Sequence, residues 1–140
     1  MTGPPPREIV IPSDLTEARR VQAEVEAALH GAAFHEHDVF AIKLALEEAL
    51  VNAIKHGNQL DHTKTVRIVY HVGPDRFEVL VTDEGSGFDP DDVPDPTAPE
   101  NLERPCGRGL LLMRHYMTEV AHHDRGRAVR MFKVRRNGTK

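Results

Sequence analysis

The stretch Glu48-Ala49-Leu50-Val51-Asn52-Ala53-Ile54-Lys55-His56-Gly57 closes a longer helical pattern. Val39, Ile42, Leu46, Ala49, Leu50 and Ala53 recur at three- and four-residue steps, which is an apolar stripe of helical period. It predicts a helix from about His37-Asp38 to about His56, closed by Gly57-Asn58. Glu48 and Asn52 are just over one turn apart, about 6 Å of rise, so they point the same way beside the stripe. Small residues, Ala41 and Ala45, flank them. Asparagine is a poor choice inside a helix because its amide competes for backbone hydrogen bonds. A carboxylate next to an amide oxygen suits Mg2+, which takes a few oxygen ligands together with water and phosphate. Taken alone, the same pair also reads as a solvated helix face.

Upstream, Glu8-Ile9-Val10-Ile11 is a β-branched run ended by Pro12, an expected edge strand. Ser13 or Asp14 offers a helix N-cap, with Glu17 placed for a capping box. Leu15, Ala18, Val21, Val25, Ala28 and Leu29 then repeat at helical spacing up to Gly31. Downstream, Val66, Ile68, Tyr70 and Val72 alternate with Arg67, Val69 and His71. Gly73-Pro74-Asp75 turns the chain into Phe77, Val79 and Val81, which alternate again up to Asp83. A helix is expected from Leu110 to Met117, and two last strands, Glu119 to His123 and Ala128 to Val134, flank Asp124-Arg125-Gly126. The order β-α-α-β-β-loop-α-β-β gives an α+β fold. It is a two-layer α/β sandwich with a mixed, mostly antiparallel sheet covered on one face by helices.

The chain has 140 residues, 39% hydrophobic and 29% charged, which fits one globular domain over 1–140 with a flexible start at 1–6. Net charge is -4 and pI about 6.1, so no overall positive field points to nucleic acid. One cysteine, Cys106, excludes a disulfide within the chain and fits a reducing compartment. The N-terminus lacks an apolar signal-type segment and no run reaches membrane-spanning length, so a cytoplasmic location is expected. Arg135, Arg136 and Lys140 read as a solvated basic tail. His35-x-His37 and His122-His123 lack the spacing and cysteine partners of a zinc site.

Two glycine-rich turns complete the pattern. Asp83-Glu84-Gly85-Ser86-Gly87-Phe88 comes directly after a strand. Its glycines allow close approach of backbone to a ligand, and a strand-end carboxylate can accept from an exocyclic amine. Gly107-Arg108-Gly109 opens a helix, where free amides, the dipole and an arginine favour phosphate. Between them, about 89–106 is rich in Pro, Asp and Glu and reads as a long surface loop or lid.

In this order, Glu48-x-x-x-Asn52, Asp83-x-Gly85-x-Gly87 and Gly107-x-Gly109-Leu110 resemble the N box and the two glycine boxes of the Bergerat-fold (GHKL) ATP-binding superfamily. The strings Glu48 to Gly57 and Gly107-Arg108-Gly109-Leu110 with Met117-Thr118-Glu119-Val120 are most similar to the anti-sigma factor serine kinase branch. The resemblance implies ATP and Mg2+ as cofactors. It implies Glu48 as general base, Asn52 as the Mg2+ ligand and Asp83 as acceptor of the adenine amino group. Gly85 and Gly87 would shape the adenine wall, and Gly107, Arg108 and Gly109 would approach the phosphates as the hinge of the lid. Lys55 and His56 continue the same helix side, and they serve equally well as phosphate contacts or as cations at the helix end.

The resemblance further implies a protein serine/threonine kinase that binds a sigma factor and phosphorylates an anti-anti-sigma protein of the STAS type, with no direct nucleic-acid or membrane partner. A non-catalytic ATP-gated binding module and a detached histidine-kinase catalytic domain are the alternatives. The Glu8–Ile11 edge and the amphipathic first helix leave a homodimer open. One departure stands out: where family members often carry Thr after the glycine of the last hairpin, Gly126 is followed here by Arg127-Ala128.

Overall fold

A computed structural model describes residues 5–85 and 112–136, apart from the Arg125 side chain. Strand β1 (Arg7–Pro12) leads into α1 (Leu15–Gly31) and α2 (Glu36–Val51). A wide π-helical turn, Asn52–Gly57, prolongs α2. Strands β2 (Thr65–Val72) and β3 (Arg76–Thr82) come next. After a helical turn at 112–116 come β4 (Glu119–His123) and β5 (Ala128–Val134). The five strands form one sheet, ordered β1-β2-β3-β5-β4, and every pairing is antiparallel.

The expected alternation sets the core. Val66, Ile68, Tyr70 and Val72 of β2 and Phe77, Val79 and Val81 of β3 are buried, with register pairs Ile68–Val81 and Tyr70–Val79. Val129 and Met131 of β5 extend the same layer through Val81–Val129 and Val79–Met131. Against it pack Ala18, Val21, Val25 and Leu29 of α1 and Val39, Ile42, Leu46, Ala49 and Leu50 of α2. The stripe of α1 therefore packs in the protein's own core. β1 sits at the sheet edge with Val10 exposed.

Local sequence explains the helix starts. Asp14 caps α1 by accepting from the Thr16 amide, whereas Ser13 is buried, and Glu17 pairs with Arg20 instead of closing a capping box. α1 ends at Gly31, but the left-handed residue is Ala33 (φ 60°), so Gly31 does not provide the expected turn geometry. α2 opens one residue before the expected start, with His35 as its cap.

Of the expected solvated basic tail, Arg135 and Arg136 are tied into the fold, while Lys140 lies outside the described residues. The Arg135 guanidinium donates to the carbonyls of Ala32 (2.6 Å) and Ala33 (2.8 Å) and lies 4.4 Å from the centre of the Phe34 ring. The Arg136 amide donates to buried Asp38 at 2.8 Å. Both arginines therefore clasp the α1–α2 connection. Orphan carbonyls at the end of α1 and a buried carboxylate at the start of α2 supply the acceptors that a composition-based reading does not see.

Candidate functional site

Glu48 and Asn52 lie on the last turn of α2 and its C-cap, and the Asn52 amide N–H still donates to the Glu48 carbonyl. The expected one-turn offset is therefore present. The helix widens from Asn52 onward into the π turn. Single π turns concentrate at functional sites because the extra residue re-aims the side chains beyond it. Lys55 and His56 fall within this turn and are exposed. Neither the Glu48 carboxylate nor the Asn52 side chain has a hydrogen-bond partner among the described residues. Burial, reinforced by the neighbouring Glu47 charge, raises the Glu48 carboxyl above the ordinary glutamate range, and the His56 charge pulls it part of the way back. A carboxyl shifted toward neutrality is suited to taking up a proton.

The turn after β3 meets this helix at the far end of the π turn. β3–β5 pairing runs out at Thr82–Ala128, and the next bond takes the Asp83 amide to the Arg127 carbonyl at 2.9 Å. Asp83 is partly buried, and its Oδ1 accepts from the Gly85 amide at 2.8 Å. Burial pushes the Asp83 carboxyl up, against the Gly85 amide and the positive charges of Arg127 and Lys64. Gly85 is buried against the Gly57 carbonyl.

Three residues that the sequence did not single out for this turn hold it in place. Asn58, fully buried, accepts from the Glu84 amide at 2.8 Å and donates to Ser13 Oγ and the Thr65 carbonyl, both at 2.9 Å. Thr65 donates through its amide and hydroxyl to the Glu84 carboxylate, each at 2.6 Å. Arg127, at the departure from the family pattern, donates from Nε to the Gly85 carbonyl at 2.8 Å and leans toward Asp124 at 3.4 Å. No local periodicity marks such long-range bonds. The only signal is the arginine standing in place of the usual hydroxyl.

The fold thus sets Asp83 and Gly85 against Gly57, at the end of the helical run that carries Glu48, Asn52, Lys55 and His56. Gly87, Gly107, Arg108 and Gly109, the lid at 89–106 and Cys106 lie outside the described residues. The oxygen donors fit the groups that the resemblance implies. Asn52 and Glu48 offer oxygens with no competing hydrogen bond among the described residues, which suits a hydrated Mg2+ with phosphates. Asp83 offers a fixed acceptor at a strand end. Among the described residues no helix is long and apolar enough to cross a membrane.

A five-stranded antiparallel sheet under two helices, with a carboxylate–amide pair on the helical run whose end packs against a glycine turn, is the frame of an ATPase-type nucleotide fold. The chain belongs to the histidine kinase-like ATPase domain family, whose model matches residues 11–133. Among curated proteins it is similar to several serine-protein kinases. It is 35% identical over 103 residues to serine-protein kinase RsbW of Bacillus licheniformis, covering 69% of this chain and 64% of that protein. It is 31% identical over 109 residues to the RsbW of Listeria innocua, covering 73% and 69%. The RsbW of Bacillus cereus strain AH187 is 26% identical over 133 residues, covering 90% and 82%. The chain thus spans a little under two thirds of the Bacillus licheniformis protein. Among solved structures, the RsbU and RsbW domains of a Mycobacterium tuberculosis protein share the fold, with a TM-score of 0.65 and 18% identity. That match covers 95% of this chain and 32% of the other.

Proposed function

We propose that this chain binds Mg-ATP between the end of α2 and the turn after β3, and transfers the γ-phosphate to a serine or threonine of a small antagonist protein. The observation that carries the reading is Glu48: partly buried, raised toward neutrality, without a hydrogen-bond partner among the described residues and one turn from Asn52. In the transfer, Glu48 takes the proton of the attacking hydroxyl while that oxygen bonds to the γ-phosphorus. The bond from the γ-phosphorus to the β–γ bridging oxygen breaks, and ADP leaves. Asn52 holds the metal, which when bound neutralises phosphate charge, and Asp83 accepts from the adenine amino group. Positioning and charge neutralisation are what phosphoryl transfer chiefly requires. The relatives' serine-kinase names support the acceptor class. On the same reading the chain is a cytoplasmic switch protein, sequestering a sigma factor until an anti-anti-sigma protein of the STAS type displaces it.

The test is transfer of label from γ-labelled ATP to purified STAS-type proteins encoded beside this chain's gene. The wild-type chain should label one of them on Ser or Thr. Glu48→Gln should lower transfer about 10²–10⁴-fold, as loss of a general base does, with ATP affinity within about threefold. Undiminished transfer by Glu48→Gln removes the base assignment. ATP binding without label on any acceptor favours a nucleotide-gated binding module.

A further inference from the structure

We propose that Gly57 is a positioning residue for nucleotide recognition, because its missing side chain is the space in which the Asp83 carboxylate seats. This rests on the reading of Asp83 as the adenine acceptor. Gly57 is not needed for backbone reasons: positive φ angles among the described residues fall at Ala33, Gln59, Leu60, Asp124 and Gly126, not there. It is the last residue of the π turn, and its φ is not one that an alanine would resist. A glycine in such a place calls for a spatial reason, and one is present. A Cβ built on Gly57 would overlap Oδ1, Oδ2 and Cγ of Asp83. The contact is mutual, since a Cβ on Gly85 would overlap the Gly57 carbonyl.

The turn cannot retreat from an added methyl. The Asp83 amide is bonded to Arg127, the Glu84 amide to buried Asn58, and the Gly85 carbonyl to the Arg127 guanidinium. What can move is the Asp83 side chain, at the cost of its 2.8 Å bond from the Gly85 amide. Gly57→Ala therefore swings the carboxylate off its seat, while Glu48, two turns earlier on the helix, stays in place.

Isothermal titration of ATP and GTP into the intact chain tests this, beside steady-state transfer. Gly57→Ala should weaken ATP binding about tenfold or more, the scale of a lost hydrogen bond to a charged group, and erase preference for ATP over GTP. At saturating ATP, kcat should stay within about threefold. In an Asp83→Ala background, which removes acceptor and obstacle together, Gly57→Ala should weaken binding no further. Unchanged ATP affinity in Gly57→Ala, with affinity lost in Asp83→Ala, overturns the role of Gly57 and leaves the adenine reading standing. Unchanged affinity in Asp83→Ala overturns the adenine reading itself. Should Gly57→Ala be too unstable to titrate, a higher melting temperature of the double variant supports the clash, and an equal or lower one refutes it.

Discussion

At Asn58 every polar atom of the side-chain amide is bonded inside the protein, whereas six residues earlier the Asn52 side-chain amide has no hydrogen-bond partner among the described residues. The two asparagines bracket one π turn, and the difference between them separates two kinds of polar residue. Asn58 ties the turn after β3 to the α1 entry and the start of β2, so the wall next to Asp83 is part of the fold. Asn52 and Glu48 have no such side-chain tie among the described residues and, on the proposed reading, keep their oxygens for a ligand. A buried, fully bonded amide serves the native state. A partly exposed amide in a helix, where it has no local benefit, is the one to examine for chemistry.

The largest effect that would sharpen this contrast is on stability. Asn58→Ala leaves the Glu84 amide and the Thr65 carbonyl without their partner in a partly buried site, and should cost about 3 kcal/mol, the sum expected for two or three orphaned groups. Urea unfolding measures it, and a loss below about 1 kcal/mol would mean that water takes over the hub. Asn52→Ala should behave in the opposite way. Its unfolding free energy should stay within about 0.5 kcal/mol of the wild type, while Mg-ATP binding weakens by about 2 kcal/mol in calorimetric titration. A stability loss matching that of Asn58→Ala would erase the distinction between the two.

The smallest effect concerns protonation. Burial and Glu47 both raise the Glu48 carboxyl, so its deprotonation, and with it the acid limb of the transfer rate, lies above the ordinary glutamate range. Glu47→Gln removes the like charge and should move that limb to lower pH, whereas His56→Gln removes a favourable charge and should move it up. A pH–rate profile with no movement in either variant would show that another group sets the limb. The same raised value means that Glu48 in its charged form opposes folding. Its penalty is absent at low pH and grows as pH rises past the ordinary glutamate value, levelling off above the raised one.

The strand alternation at 65–82 and the stripe through Val39 to Ala53 make the layers legible in the sequence, because periodicity reports which face of each element is dry. The Glu48–Asn52 offset is legible for the same reason: it is a distance along one helix. Other features are not, and the cause is shared. The Asn58 hub joins residues 13, 58, 65 and 84, and the Arg135 clasp reaches back to Ala32 and Ala33. Such bonds depend on which ends the topology brings together, and no window of neighbouring residues contains them. In the sequence Gly57 reads as a helix stop. It does stand at the end of the helical run, but what requires a glycine there is Asp83, which arrives from 26 residues downstream.

The π turn has a consequence for scale. Glu48 and Gly57 belong to one continuous helical rod, and nine residues of helical rise set them at most about 13 Å apart along its axis, the wider π turn rising less per residue than the α-helix. On the proposed roles, one end of that rod abuts the nucleobase wall and the other carries the proton acceptor. Their separation is fixed by main-chain hydrogen bonds and does not wait on any side-chain rotamer. The rod is then a ruler for the polyphosphate: a nucleotide with one phosphate fewer or more seats its base equally well and leaves its terminal phosphorus at the wrong mark.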